Sequence, residues 1–158
     1  MRICILTPQS DYHERWQPHA ALYEGLFGAD LALRPWSSAG DLTGFDLVMP
    51  LLAWGYPKQP SKWFDLLDAW EAAGVPFANP VATLRWNTDK DYLLDLQAAD
   101  VAIVPTIETS CLTMDDLAAA RAEFGTDDIV IKPSISAGAD GTYLLSAEQP
   151  IPFDVLER

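Results

Sequence analysis

Short apolar runs alternate with stretches of helical spacing along the first eighty residues, and that alternation leaves few architectures open. Residues 2–7 are too short for a helix and read as a buried first strand ending at Thr7-Pro8. A polar and aromatic segment from Asp11 to Trp16 follows. A helix is predicted from about Gln17 to Phe27, with Pro18 fitting its first turn and Gly28 its stop. Residues 31–36 and 45–50 read as the second and third strands. Residues 61–73 carry Trp63, Leu66, Leu67 and Trp70 at helical spacing, and Gly74 with Pro76 ends that helix. Residues 75–80 read as a fourth strand. The order strand, helix, strand, strand, helix, strand is an α/β pattern with parallel pairing.

After Pro80 the character changes. Thr88-Asp89-Lys90-Asp91 has the pattern of a capping box, which predicts a helix to about Ala99 with Lys90 in its first turn. Residues 101–106 read as a strand. Thr113 and Asp116 form a second capping pattern, with Leu112 and Leu117 placed as a hydrophobic staple and Gly125 as the stop. A short tail bearing Pro150 and Pro152 closes the chain. The change in pattern divides the sequence into an N-terminal domain, 1–82, and a second region, 83–158.

Composition narrows the function classes. The formal net charge is −13, with ten Lys and Arg in all. Phosphate-backbone contacts need clustered basic residues, so nonspecific nucleic-acid binding is excluded and anionic membranes are poor partners. No apolar run is long enough to span a bilayer, and Met1 opens directly into a strand-like segment without a signal-peptide core, which predicts a cytoplasmic protein. Cys4 and Cys111 lack metal-type spacing, and Cys4 reads as a small core residue.

The chemistry is concentrated in residues 128–145. Ile129-Val130-Ile131 delivers Lys132 and Pro133, a run of small residues follows, and Tyr143-Leu144-Leu145 resumes the apolar pattern: strand, loop, strand. Gly138 and Gly141 permit positive φ and close backbone approach, while Ser134, Ser136 and Thr142 offer hydroxyls. A lysine at the mouth of such a loop suits a polyphosphate. The same residues equally fit a hairpin with a long turn and a surface lysine. Lys90 is the second basic candidate, although Asp89 and Asp91 beside it are placed to neutralise it. Asp11 and Arg15 after the first strand, and Tyr56 after the third, stand at strand ends where open α/β sheets form ligand crevices. Aromatic packing under a loop is the competing reading there, and it is preferred for Tyr12 and Trp16.

Asn87-Thr88-Asp89-Lys90, Val104-Pro105-Thr106 and residues 129–133, in this order and spacing, resemble the central part of the ATP-grasp superfamily. The nearest likeness is to glutathione-synthetase-like members, including cyclo-ligases of D-cycloserine biosynthesis. Asp11 to Arg15 and Leu84 to Lys90 contribute to it. The resemblance implies a small parallel-sheet N-terminal domain followed by a partial α+β ATP-grasp subdomain. It further implies ATP-dependent, ADP-forming ligation of a small carboxylate through an acylphosphate. Lys90 and Lys132 match the lysines that contact ATP phosphates, and Ser134, Ser136, Gly138, Gly141 and Thr142 match the mobile loop that closes over them. The acidic residues and Asn that hold Mg²⁺ in that superfamily have no counterpart before Arg158, so the expectation is the N-terminal portion of a ligase, inactive alone, with apolar surface that favours self-association. A non-catalytic α/β interaction domain is the alternative.

Overall fold

The structure, a computed structural model, describes residues 1–146. The expected tail with Pro150 and Pro152 lies outside them. The chain divides into two compact units, Met1–Asn87 and a second beginning at Thr88.

The first unit is built on a three-stranded parallel sheet of β1 (Ile3–Thr7), β2 (Leu31–Pro35) and β3 (Leu47–Met49), in the order β2-β1-β3. β1 is central and buried at every position, which is why its sequence is a continuous apolar run rather than an alternating one. It pairs with β2 from Ile3↔Leu31 to Thr7↔Pro35 and with β3 from Ile3↔Leu47 to Ile5↔Met49. α1 (Gln17–Phe27) forms the crossover from β1 to β2 and ends at Gly28, as its pattern predicts. α2 (Pro60–Ala72) buries Trp63, Leu67 and Trp70 and half-buries Leu66. These side chains join Trp36, Leu42, Phe45 and Val48 in the main core. Full burial of an aliphatic or aromatic side chain contributes about 1.5–3 kcal/mol, so this stripe dominates the unit's stability.

The expected fourth strand contracts to a single parallel bridge, Val48↔Phe77. Val48 donates to the Pro76 carbonyl at 2.8 Å and its own carbonyl accepts from Ala78 at 3.0 Å. Pro76 and Pro80 have no N–H to give, so the ladder does not propagate. α3 (Val81–Thr88), which the sequence reading lacked, follows at once. It packs on the main core through Val81 and Leu84, and Arg85 is ion-paired with Asp68.

The second unit holds α4 (Tyr92–Ala98), α5 (Met114–Phe124) and an antiparallel pair, β4 (Ile129–Ile131) with β5 (Tyr143–Leu145). The pair alternates cleanly. Ile129 and Leu145 are buried with Leu117 and Ala120, whereas Val130 and Leu144, directly opposite each other, are exposed. α5 carries the predicted capping box: the Thr113 hydroxyl accepts from the Asp116 amide at 3.2 Å, and Asp116 Oδ2 accepts from the Thr113 amide at 2.8 Å. Leu112 packs against the cluster containing Leu117, as a staple should.

Two expectations fail in this unit. Residues 101–106 form no strand. Val101 and Val104 are exposed there, so the alternation has no core to face, and Pro105 removes a ladder donor. The capping pattern at Thr88 also misplaces a helix start. Thr88 is the last residue of α3, and α4 begins only at Tyr92 with Asp91 as an N-cap lacking a side-chain bond. Lys90 therefore lies in the turn between two helices. No helix among the described residues is long and apolar enough to cross a membrane.

Candidate functional site

Lys90 is brought to the β4–β5 loop. Its Nζ donates to the Ser134 carbonyl at 3.1 Å, the Ser136 carbonyl at 2.9 Å and the Ser136 hydroxyl at 2.8 Å. Its backbone amide donates to the same Ser134 carbonyl at 3.0 Å. The Ser136 hydroxyl in turn donates to the Pro133 carbonyl at 3.3 Å. An ammonium has three protons to donate, and here three oxygens of one short arc receive them. The turn between α3 and α4 makes this reach possible, because a lysine inside the first turn of a helix would be committed to that helix's surface.

Burial pushes the Lys90 ammonium below its ordinary pKa, and Lys132 lowers it further, with Asp89 acting in the opposite sense. Lys132 itself is exposed at the end of β4. Among the described residues neither lysine forms an ion pair with a carboxylate. Of the two carboxylates placed by sequence to neutralise Lys90, Asp89 favours its charged form without forming an ion pair, and Asp89 and Asp91 also interact with each other. A hydrogen bond that the protonated Asp91 carboxyl donates to Asp89 holds Asp91 above its usual range, and burial and nearby acidic charge add to the shift. Two positive charges thus share one loop mouth, and among the described residues neither is held in an ion pair.

The loop beyond the arc turns twice. Asp140 donates to the Ala137 carbonyl at 3.2 Å across Gly138 and Ala139, both at positive φ, and Thr142 donates to the Ala139 carbonyl at 3.0 Å across Gly141 at φ +70°. Consecutive positive φ values match the tight hairpin turn that glycine permits. Ala139 adopts this geometry without being glycine, a local strain of about 1–2 kcal/mol.

In the first unit, the crossovers from β1 and β3 leave in opposite directions, so the loops after these strands meet at the sheet's switch point. Leu52 donates to the Leu6 carbonyl at 3.1 Å there. Tyr12 lies against Trp54 with ring centroids 6.4 Å apart, and His19 meets the edge of Trp54 at 5.4 Å. The structure does not join Asp11, Arg15 and Tyr56 by hydrogen bonds. Asp11 and Arg15 are exposed, without hydrogen-bond or ion-pair partners among the described residues. Tyr56 is half-buried and stacked on Trp63 at 5.1 Å, and burial raises its hydroxyl pKa. One buried side-chain polar atom among the described residues lacks a hydrogen-bond partner, Trp16 Nε1 at the start of α1.

The sequence offered no sign that backbone carbonyls of Ser134 and Ser136 would be the groups that meet Lys90. A carbonyl is common to every residue, and only the turn geometry selects these two.

No family model matches the sequence, and no curated protein matches it. Among solved structures the chain is similar to the crystal structure of D-cycloserine synthetase DcsG, with a TM-score of 0.71 and 19% sequence identity. The alignment covers 93% of this chain and 51% of that one. The likeness is one of fold. It extends over both units, and the chain spans about half the length of the synthetase chain it matches.

Proposed function

We propose that this chain is the nucleotide-phosphate-handling portion of an ATP-dependent, ADP-forming carboxylate ligase of the ATP-grasp type. The observation that carries this reading is the convergence of Lys90 and Lys132 on one loop mouth. Only ten basic residues exist in the chain, and these two have no carboxylate counterion among the described residues. Like charges brought together at a partly buried site call for an anion that satisfies both. The likeness in fold to a synthetase supports the same reading.

In this scheme the first unit is the domain that precedes the ATP-grasp region, and the second is part of the first ATP-grasp subdomain. Lys90 and Lys132 neutralise the β- and γ-phosphates. The loop of residues 134–142 covers them with its amides and hydroxyls, Gly138 and Gly141 supplying the backbone freedom and Ser134, Ser136 and Thr142 the donors. A carboxylate oxygen of the substrate attacks the γ-phosphorus and ADP leaves. A nucleophile then attacks the acylphosphate carbon and inorganic phosphate departs. The protein's share is positioning and charge neutralisation. Asp11, Arg15 and Tyr56, at the strand ends of the first unit, are the residues assigned to the acceptor substrate.

The donor set fits phosphate. It does not fit Mg²⁺: among the described residues no group of three or more His, Cys, Asp or Glu side chains is arranged to hold a metal. On this reading the metal's ligands lie outside the described residues.

Calorimetric titration with ATP tests the site. Lys90→Ala and Lys132→Ala are each expected to weaken binding about tenfold or more, the worth of a charge-assisted contact. Unchanged ATP affinity in the double variant would overturn the assignment.

A further inference from the structure

We infer that Lys90 is a latch. In the ligand-free chain its ammonium ties down the arc of residues 133–136, and a polyphosphate opens the loop by taking that ammonium in exchange.

The geometry supplies both halves of the exchange. All three bonds from Nζ go to one arc, the Ser134 carbonyl at 3.1 Å and the Ser136 carbonyl and hydroxyl at 2.9 and 2.8 Å. The backbone amide of Lys90 reinforces the contact at 3.0 Å. The Ser136 hydroxyl accepts from the ammonium while donating to Pro133, so polarisation by the charge strengthens the bond that shapes the arc. Residues 137–142 beyond it are mostly exposed, and two turn bonds, to the Ala137 and Ala139 carbonyls, support them internally. Release of the arc therefore removes the long-range tether of the loop.

The acceptors, however, are neutral. Phosphate oxygens are anionic and make charge-assisted bonds roughly twice as strong as neutral ones. They also relieve two costs that the clasp leaves in place, the partial burial of the ammonium and its repulsion by Lys132. A polyphosphate therefore competes for Lys90 with an advantage over Ser134 and Ser136. Binding comes first and loop release follows, so the loop is free to close over phosphates only after they have arrived.

The exchange half rests on the polyphosphate reading above, whereas the latch half does not, and one experiment separates them. The carbonyl ¹³C resonances of Ser134 and Ser136 report whether each oxygen accepts a hydrogen bond. They are followed, with amide exchange of residues 134–142, in the wild-type chain and in Lys90→Met. The same signals are followed in both proteins on addition of inorganic triphosphate. Lys90→Met is expected to shift both carbonyls in the direction of lost hydrogen bonding and to speed loop exchange about tenfold or more. Triphosphate is expected to shift the wild-type carbonyls in the same direction and to leave those of Lys90→Met in place. Unchanged carbonyls and loop exchange in Lys90→Met overturn the latch. Triphosphate binding to wild type without carbonyl movement overturns the exchange alone. Absence of triphosphate binding overturns the exchange together with the polyphosphate site.

Retained methyl signals of Leu117 and Leu145 establish that the variant is folded. Should it fail to fold, Ser136→Ala serves instead. That change deletes one acceptor and the bond to Pro133, so faster loop exchange is expected, and unchanged exchange again overturns the latch.

Discussion

Lys90 reaches across 46 positions of sequence to grip Ser136 twice, its ammonium donating to the carbonyl at 2.9 Å and to the hydroxyl at 2.8 Å. A loop closed in this way is held by charge rather than by packing. The contact therefore responds to anions, to the charge of neighbouring groups and to pH, whereas the apolar cluster of Leu117, Ile129 and Leu145 beneath it does not.

Lys132 is the neighbour that most directly tests that sensitivity. Folding lowers the Lys90 pKa from its ordinary value of 10.5, first through burial and then through Lys132. Between the folded value and 10.5 the unfolded chain binds more protons than the folded one, so this group makes stability rise with pH across that window. Lys132→Gln is expected to raise the Lys90 pKa and narrow the window. A ¹⁵N titration of the lysine Nζ groups measures the first effect, and urea midpoints at several pH values below 10.5 measure the second. A lysine titration indifferent to residue 132 would remove the electrostatic link between the two ammonium groups.

The two cysteines differ in environment, and thiol chemistry reads that difference directly. Cys4 is fully buried in the central strand, and burial pushes its pKa from 9.0 to about 11, against a small opposing effect of Arg34. Cys111 is exposed. A disulfide reagent at neutral pH is expected to label Cys111 within minutes and to reach Cys4 only on unfolding, since the thiolate is the reactive form. The raised value also sets a sign. Above 9.0 the unfolded chain loses its Cys4 proton before the folded one does, so this contribution to stability falls as pH rises toward about 11. Rapid labelling of both thiols in the native chain would show that β1 is not the closed core strand described above.

How much of this was legible in the sequence depends on the distance over which each signal acts. α1, α2 and α5 announced themselves through proline, glycine and apolar spacing, because helix ends and amphipathic faces are set by neighbours within a turn or two. The Thr113–Asp116 box was readable for the same reason, and the identical grammar failed at Thr88, where the preceding α3 already occupied the position. α3 itself has a mixed face and no clear stop signal. Residues 101–106 show the converse error: a β-like composition makes a strand only where a partner and a core are available. At the candidate site, Lys90, Lys132 and the small-residue loop could be named from sequence. That Lys90 would sit in a turn and bond the backbone of Ser134 and Ser136 could not, because those acceptors lie more than forty residues away and carry no side-chain signature.

The N-terminal cap of α5 offers a test of local order next to the β4–β5 hairpin. Thr113→Ala is expected to cost about 1 kcal/mol, the usual worth of a hydroxyl cap. The Thr113 hydroxyl and amide hold the Asp116 carboxyl below its ordinary value of 3.8, the hydroxyl contributing most. A depressed carboxylate stabilises the fold above its unfolded pKa and loses that contribution as pH falls through the folded one. Removing the hydroxyl should move the Asp116 pKa back toward 3.8. Carboxyl ¹³C titration checks the shift, and an unmoved Asp116 would mean that the backbone amide alone maintains the cap.

Gly55 and Tyr12 allow the meeting of the two strand-end loops to be measured as an energy. Gly55 has φ +86°, and a Cβ built there would stand 2.9 Å from Tyr12 Cε2. Gly55→Ala therefore carries two penalties: a backbone share of about 1–2 kcal/mol for the left-handed conformation, and a steric share for displacing the Tyr12 ring from its place beside Trp54. The two separate in a double-mutant cycle. In a Tyr12→Ala background the steric share disappears and only the backbone share remains, so Gly55→Ala is expected to be less destabilising there than in the wild type. Urea unfolding of the four proteins gives the coupling energy. A Gly55→Ala penalty of equal size in both backgrounds would show that the Tyr12 ring moves aside freely and that the loops after β1 and β3 are not packed together. A clear coupling would establish that any ligand entering the switch point must do so without parting Tyr12 from the Trp54–Gly55 turn, or must itself supply the energy that this contact now provides.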